Sequence, residues 1–445
     1  MNRQDSPARL GKIAILVGGG PAPGINGVIS AATIEAINHG IDVYGVPDGF
    51  KHLVKGNAAM LRRLNIDDVK NIHTRGGSVL GTARTNPTKT PEDMHNVLEV
   101  FRTLNIDALV TIGGDDTAYS ASEVCRMAAG KLRVAHVPKT IDNDLPLPGS
   151  VPTFGFETAR QLGVRLVRNL AEDARTTSRW YLIVSMGRAA GHLALGIGKS
   201  AAATLTIIPE EFRGRPVTLD ELCDIILGAM IKRASTNTHY GVVVLAEGLL
   251  GAIGEEGLLA AMDSAGVVGR YGNVVRDPHN HLRLGEIEFG RMVRDRLSAL
   301  MEKTELKIAM IDKDLGYELR CADPNPFDAE YTRDLGYAAV KFLRSEAAAK
   351  FGAIISFVEG RMHALPFQEM INPLTKHMKT RKVEVDAEGY ECARRYMIRL
   401  DKRDFADDHK LEKLAAVAGM SAELFRKRFG YLVEKEQLPA ASRTQ

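Results

Sequence analysis

The sequence predicts an α/β fold: doubly wound parallel sheets spread over two or three domains, closed by a helical C-terminal region. Three observations carry that expectation. Short β-rich runs recur along the chain, several ending in glycine or a carboxylate, with helical patterns between most of them. The 445 residues are too many for one ordinary hydrophobic core. From about Thr375 the composition turns to charge and helix formers.

In chain order the β-rich runs are KIAILVGGG (12–20), IDVYGV (41–46), DALVTIGGDD (107–116), RVAHVP (133–138), WYLIVSMG (180–187), YGVVVLAEG (240–248) and GAIISFVEG (352–360). A helix is expected from near Ile25, with Ile25, Ile29, Ala32 and Ala36 on one face. Another is expected after Asp116, through TAYSASEVCRMAA. In such sheets ligands bind beyond the C-terminal strand ends, which is where the polar clusters of this chain fall. No internal repeat or low-complexity linker interrupts the pattern. The charged tail (KHMKTRK, RLDKRDFADDHKLEK) reads as a helical cap or subunit contact, or else as a regulatory or lid element.

Bulk composition excludes several classes. Basic and acidic side chains number 58 and 55, so the net charge of +3 gives no whole-chain argument for nucleic acid or membrane binding. Local basic pockets remain available, as phosphorylated substrates require. Cys125, Cys223, Cys321 and Cys392 are far apart and form no CxxC pair, which suggests neither zinc site nor disulfide framework. MNRQDSPARL lacks an apolar signal core, and no apolar run reaches the roughly 18 residues of a membrane span. A reducing cytoplasm is the expected location.

Residues 18–26 read GGGPAPGIN, between a strand and a helix. Glycines let backbone N–H groups approach an anion, and the helix N-terminus adds positive dipole. The same loop would also serve as a tight strand-to-helix turn without ligand. It is not the dinucleotide fingerprint, because Pro23 stands where the third glycine is needed. GIGKS (196–200) is not a Walker A loop, because Leu193 replaces its first glycine.

IGGDDT (112–117) sets Asp115 and Asp116 at a strand end, ahead of a helix. A carboxylate there could hold Mg²⁺ against substrate phosphates, or could cap the helix. PKTIDND (138–144) packs Lys139, Thr140, Asp142 and Asp144 into one segment. In an extended segment Asp142 and Asp144 would share a face. A sugar hydroxyl needs a positioned base, and a phosphoryl group in flight needs cations. Asp142 is the candidate base and Lys139 the candidate cation; a turn with surface charge is the plainer reading.

GGGPAPGIN, RGGSVLGTAR (75–84), IGGDDT, PKTIDND, SMGRAAGH (185–192), AEG (246–248) and GYELR (316–320), followed by PFDAEYTRDLGYAAV, resemble the phosphofructokinase family in content and order. The resemblance runs from about Lys12 to Arg361. It implies two α/β domains of phosphofructokinase type with the site in the cleft between them. The donor-binding domain would span 1–150, completed by about 319–374; the sugar-phosphate domain 151–318; the helical region 375–445.

Carried over by position, Gly20 and Arg84 lie at the phosphoryl donor. Asp115 is the Mg²⁺-associated aspartate, and Asp142 the base that deprotonates the 1-hydroxyl of fructose 6-phosphate. Thr140 and Asp144 flank it. Met186, Gly187 and Arg188 contact sugar and transferring phosphate, Glu247 binds sugar hydroxyls, and Arg320 grips the 6-phosphate. Arg179 corresponds to an arginine that reaches a neighbouring subunit's 6-phosphate, which implies a homodimer or homotetramer.

Two departures point to pyrophosphate as donor. Asp116 follows Asp115 where ATP-using bacterial members read GGDG, and Lys139 stands where the short ATP-using members read PGTIDND. Asp116 would put charge and bulk where the α-phosphate of ATP lies, and Lys139 would set an ammonium beside pyrophosphate. Tyr317 replaces a histidine whose phosphate contact a phenol can still make. Ile311 stands where the short enzymes have a further arginine, with Lys313 nearby. The rivals are an ATP-dependent phosphofructokinase, a related lipid or NAD kinase, and a catalytically silent sugar-phosphate sensor.

Overall fold

The computed structural model describes residues 10–264, 287–372, 375 and 378–435. MNRQDSPAR, part of KHMKTRK and the last ten residues, on which the expectations about a leader and the tail partly rest, lie outside the described residues. So does 265–286, inside the expected sugar-phosphate domain. The described residues form two compact units, one of 10–159 with 317–381, the other of 160–264, 287–316 and 382–435.

The strands, in chain order, are β1 (Lys12–Val17), β2 (Asp42–Val46), β3 (Arg62–Leu64), β4 (Ala108–Gly113), β5 (Arg133–Thr140), β6 (Phe154–Gly155), β7 (Arg179–Ser185), β8 (Leu205–Ile207), β9 (Gly241–Ala246), β10 (Ala309–Leu315), β11 (Ala353–Val358) and β12 (Arg361–Pro366). All seven β-rich runs of the sequence are among them.

The first unit holds a sheet of order β12-β11-β5-β4-β1-β2-β3, with β6 beside β5. Its interior is parallel, but β3 and β12 pair antiparallel at the two edges. The doubly wound parallel sheet expected from the sequence thus carries an antiparallel strand at each edge. β12 returns through a two-residue turn at Glu359 (φ 51°) and Gly360 (φ 72°), the left-handed pair that a tight hairpin favours. Side chains alternate across the sheet. Ile13, Ile15 and Val17 face one apolar core with Ile25, Val28 and Ile29 of the helix Ile25–Asn38. Ala14 and Leu16 face another, with Val97 and Ala118. Ile25, Ile29, Ala32 and Ala36 are fully buried, as their spacing predicts. That helix packs along the helix Pro326–Leu343.

The second unit holds an all-parallel sheet of order β10-β7-β9-β8. Trp180, Leu182 and Val184 of β7 share one core with the helices Leu219–Ala234 and Phe289–Met301. The C-terminal helices join the same core through Leu411, Leu414, Phe425 and Phe429. The centroids of the last two rings lie 4.8 Å apart, with the rings tilted at 45°. Among the described residues no helix is long and apolar enough to cross a membrane, and all four cysteines are free.

Candidate functional site

In the first unit β5, β4 and β1 are parallel neighbours, and their C-terminal ends carry the aspartate-rich turn, the paired aspartates and the glycine loop. The chain runs from β1 to β2 on one side and returns to β4 on the other. The glycine loop and Asp115 therefore flank a topological switch point, the usual ligand position in such sheets.

Small residues bring these segments together. A Cβ at Gly18 or at Gly113 would come within 2.4 Å of Thr117 Oγ1, so both backbones close on that side chain. Gly18 N–H donates to Ile112 O at 2.9 Å, and Gly19 N–H to Ala83 O at 3.0 Å. Thr82 Oγ1 donates to Gly19 O at 2.7 Å. These bonds seat the segment bearing Arg84 beside the loop. A Cβ at Gly20 would overlap Arg320 Nη2. Arg320, expected at the sugar 6-phosphate, thus stands within this unit against the glycine loop. Its guanidinium lies 5.3 Å from the ring centroid of Tyr317, whose side chain is largely exposed.

Lys139, at the end of β5, is 6% exposed, and its Nζ donates to Gly20 O at 2.5 Å. Burial lowers its pKa to about 8; Arg320 and Arg84 press the same way, against Asp142 and Asp115. Asp144 moves oppositely. Burial, then the charges of Asp142 and Asp115, lift its carboxyl well above the usual carboxylate range. Three carboxylates and three cations thus share one electrostatic neighbourhood at these strand ends.

Asp115 and Asp116 open the helix Asp115–Ala128, where the dipole favours anions, but the N-cap is Gly114 and no side chain caps it. The capping role left open by the sequence is not what these aspartates do. Nor is PKTIDND extended throughout. β5 ends at Thr140, and Asn143 turns left-handed at φ 56°. The shared face expected from alternation is corrected: a turn, not an extended strand, sets where Asp142 and Asp144 lie. Asp142 N–H donates to Thr140 Oγ1 at 3.0 Å.

Among the described residues no three His, Cys, Asp or Glu side chains form a metal cage. Mg²⁺ takes one or two carboxylates and completes its shell with waters and substrate phosphates. Asp115, one of the carboxylates whose charge lifts Asp144, fits that manner of binding.

The second unit gathers its candidates by main-chain bonding. Met186 follows β7, and its N–H donates to Leu315 O at 2.9 Å. Glu247 follows β9; its N–H donates to Ser185 O at 2.9 Å, and its Oε2 accepts from Gly187 N–H at 3.2 Å. Gly187 sits at φ 142°, and its carbonyl accepts from Gly248 N–H at 3.0 Å. Met186, Gly187, Arg188 and Glu247 thus share one end of the sheet. Arg179 does not join them. It begins β7, and a seven-residue strand puts it about 20 Å from the end that carries Met186.

Residues 12–343 match the family model described as phosphofructokinase. The chain belongs to the phosphofructokinase family. It is 50% identical over 423 residues, covering 95% of this chain and 99% of the relative, to a pyrophosphate--fructose 6-phosphate 1-phosphotransferase of Thermotoga maritima. A protein of the same name from Naegleria fowleri is 48% identical over 436 residues, 96% and 97% of the two chains. The crystal structure of a pyrophosphate-dependent phosphofructokinase from Marinobacter aquaeolei aligns at TM-score 0.60 and 17% identity, covering 98% of this chain and 94% of that one. At that identity it speaks to fold alone, which is the phosphofructokinase fold.

Two side chains of this phosphofructokinase-family site escape the sequence. His136, in the middle of β5, is fully buried, and its imidazole is driven down to about 3, mainly by burial. It is therefore neutral: Nε2–H donates to Gly113 O at 3.1 Å, and Nδ1 accepts from Thr111 Oγ1 at 2.8 Å. That ties the end of β4 just ahead of Asp115. A histidine inside an apolar run was the available signal. Arg381 hydrogen-bonds the turn around Asn143, and nothing in the sequence separates it from other tail cations.

Proposed function

We propose that this phosphofructokinase-family enzyme transfers a phosphoryl group from inorganic pyrophosphate to the 1-hydroxyl of D-fructose 6-phosphate, yielding fructose 1,6-bisphosphate and phosphate. The observation that carries the donor choice is Asp116, beside Asp115 in the first turn of the helix Asp115–Ala128, with the buried cation Lys139 reaching the glycine loop. Relatives bearing the pyrophosphate name over nearly the whole chain support it.

The first unit carries the donor candidates and the base together with Arg320 and Tyr317, and the second carries Met186, Gly187, Arg188 and Glu247. Asp142 takes the proton from the sugar 1-hydroxyl, and that oxygen forms the new P–O bond in line with the one that breaks. The leaving phosphate departs with the electron pair of the broken bond. Lys139, Arg188 and Thr140 stabilise charge on the transferring oxygens, and Gly20 and Arg84 contact the donor. Asp116 excludes the α-phosphate of ATP. Met186, Gly187 and Glu247 orient the sugar. Arg320 and Tyr317 meet the 6-phosphate, helped by Arg179 from a neighbouring copy in a homodimer or homotetramer. Thr140 and Asp144 hold the turn that carries the base. Asp115 would hold Mg²⁺, which when bound supplies positive charge beside the pyrophosphate oxygens. One phosphoester replaces a bond of similar stability, so the reaction serves glycolysis and gluconeogenesis in a reducing cytoplasm.

The test is a donor panel at fixed fructose 6-phosphate: pyrophosphate, polyphosphate, ATP and ADP, with the reverse reaction from fructose 1,6-bisphosphate and phosphate. Pyrophosphate is expected to give the highest kcat/KM and the reverse reaction to run. Preference for ATP would assign the ATP-dependent activity instead, and no turnover with any donor would leave a sugar-phosphate sensor.

A further inference from the structure

We infer that Arg381 is a positioning residue for phosphoryl transfer, clamping the Asp142–Asn143–Asp144 turn in the conformation that presents Asp142 to the sugar hydroxyl. The inference rests on the reading of Asp142 as the base. Arg381 lies beyond the matched family segment 12–343, in the charged stretch whose role the sequence left open.

One guanidinium holds both oxygens of Asn143. Its Nε donates to Asn143 O at 3.1 Å, and its Nη2 donates to Asn143 Oδ1. Its Nη1 donates to Val151 O at 3.1 Å, and the Arg381 N–H donates to Asp144 O at 2.6 Å. Thr153 adds two bonds, its N–H to Asn143 Oδ1 at 3.1 Å and its hydroxyl to Thr140 O at 2.9 Å. The turn between Thr140 and Asp144 is thereby tied to 151–153 on one side and to Arg381 on the other.

The turn needs such a clamp for two reasons. Asn143 is left-handed, a conformation that costs a non-glycine residue energy and persists where the surroundings fix it. The turn also carries Asp142 and Asp144, whose charges oppose each other and that of Asp115. Without restraint, the turn relaxes by letting the carboxylates separate, and Asp142 leaves its place. A planar fork reaches two acceptors at once while setting a cation beside the carboxylates; an ammonium on a flexible stem reaches only one in a fixed direction.

The test uses the full-length enzyme with its best donor. Arg381→Ala is expected to lower kcat about 10- to 100-fold, as displacement of a reacting group by about an ångström does. KM for both substrates should stay within about threefold, because no contact to either is removed. Arg381→Lys should recover only part of the loss, and free guanidinium ion added to Arg381→Ala should raise its kcat. Because both act on one turn, the Arg381→Ala/Asn143→Ala double variant should be less impaired than the product of the single losses. Wild-type kcat in Arg381→Ala would overturn the inference. So would a loss that merely tracks the unfolded fraction by circular dichroism, or fully multiplicative losses in the double variant. If Arg381→Ala does not fold, Arg381→Lys decides: lower kcat at held KM supports the clamp, and unchanged kcat refutes it. A wild type that prefers ATP would sink the donor assignment, yet the same ratios measured with ATP would still judge Arg381.

Discussion

The two units place their candidate residues at sheet ends in opposite styles. In the first, Lys139, Arg84, Arg320 and three aspartates share one electrostatic neighbourhood, and glycines at 18, 20 and 113 leave no room for a Cβ. In the second, Met186, Gly187 and Glu247 are held by hydrogen bonds to the main chain between neighbouring strand ends. The lesson is a division of labour. Charge is concentrated where charge has to move, and a hydrogen-bonded frame stands where a sugar has to be recognised. Substitutions at Asp142 and Lys139 should therefore act on turnover, and substitution at Glu247 on sugar affinity.

The largest effect expected of that division is at the base. Asp142→Asn should cut kcat by about 10²–10⁴-fold, the usual worth of a general base. Calorimetry should still detect fructose 6-phosphate binding, and near-normal turnover would remove Asp142 from the role.

Next comes the buried ammonium. Its folded-state pKa, about 8, lies below the usual lysine range, so the free enzyme loses this charge as pH rises through that value. kcat/KM for pyrophosphate should fall on that alkaline limb and hold below it. In the kcat profile the limb should move to higher pH, because a bound anion favours the ammonium. Lys139→Met should lower kcat/KM by about 10²-fold, typical for a lost charge contact to a developing anion, and erase the limb. A limb surviving in Lys139→Met would assign it to another group.

The second unit predicts smaller changes of the other kind. Arg179→Ala should raise KM for fructose 6-phosphate about 30-fold, as loss of a charged phosphate contact does, with kcat nearly held. Light scattering should find the wild type at least dimeric, and a fully active monomer would exclude the shared site. Glu247→Gln should raise the same KM only about five- to tenfold. A kcat collapse in Glu247→Gln would break the comparison between the units.

The sequence discloses most of this where local chemistry is unambiguous. Unbroken apolar runs mark the seven strands, and motif order marks the family. It misses β10, whose AMIDKDL carries three charges because it is a sheet edge with little burial, and it misses β8 because three residues carry no period. The extended reading of PKTIDND fails at Asn143, though asparagine is a residue that tolerates left-handed turns. The approach of Arg320 to Gly20 is illegible because 300 positions separate them, and only the closed fold brings them together. Arg381 is illegible for another reason: its neighbours in the tail are also cations, and only tertiary contacts distinguish it.

The interleaving of the two units carries a cost during synthesis. The helix Ile25–Asn38 emerges early but packs along Pro326–Leu343, and Trp180 waits for Phe425 and Phe429. None of the three cores can close until most of the chain has left the ribosome. At about 5–20 residues per second, the apolar faces of the early strands stay uncovered for tens of seconds. A nascent chain in that state should depend on holding chaperones. Overexpression at elevated temperature should favour inclusion bodies for reasons that the finished molecule, with its cores sealed, does not betray.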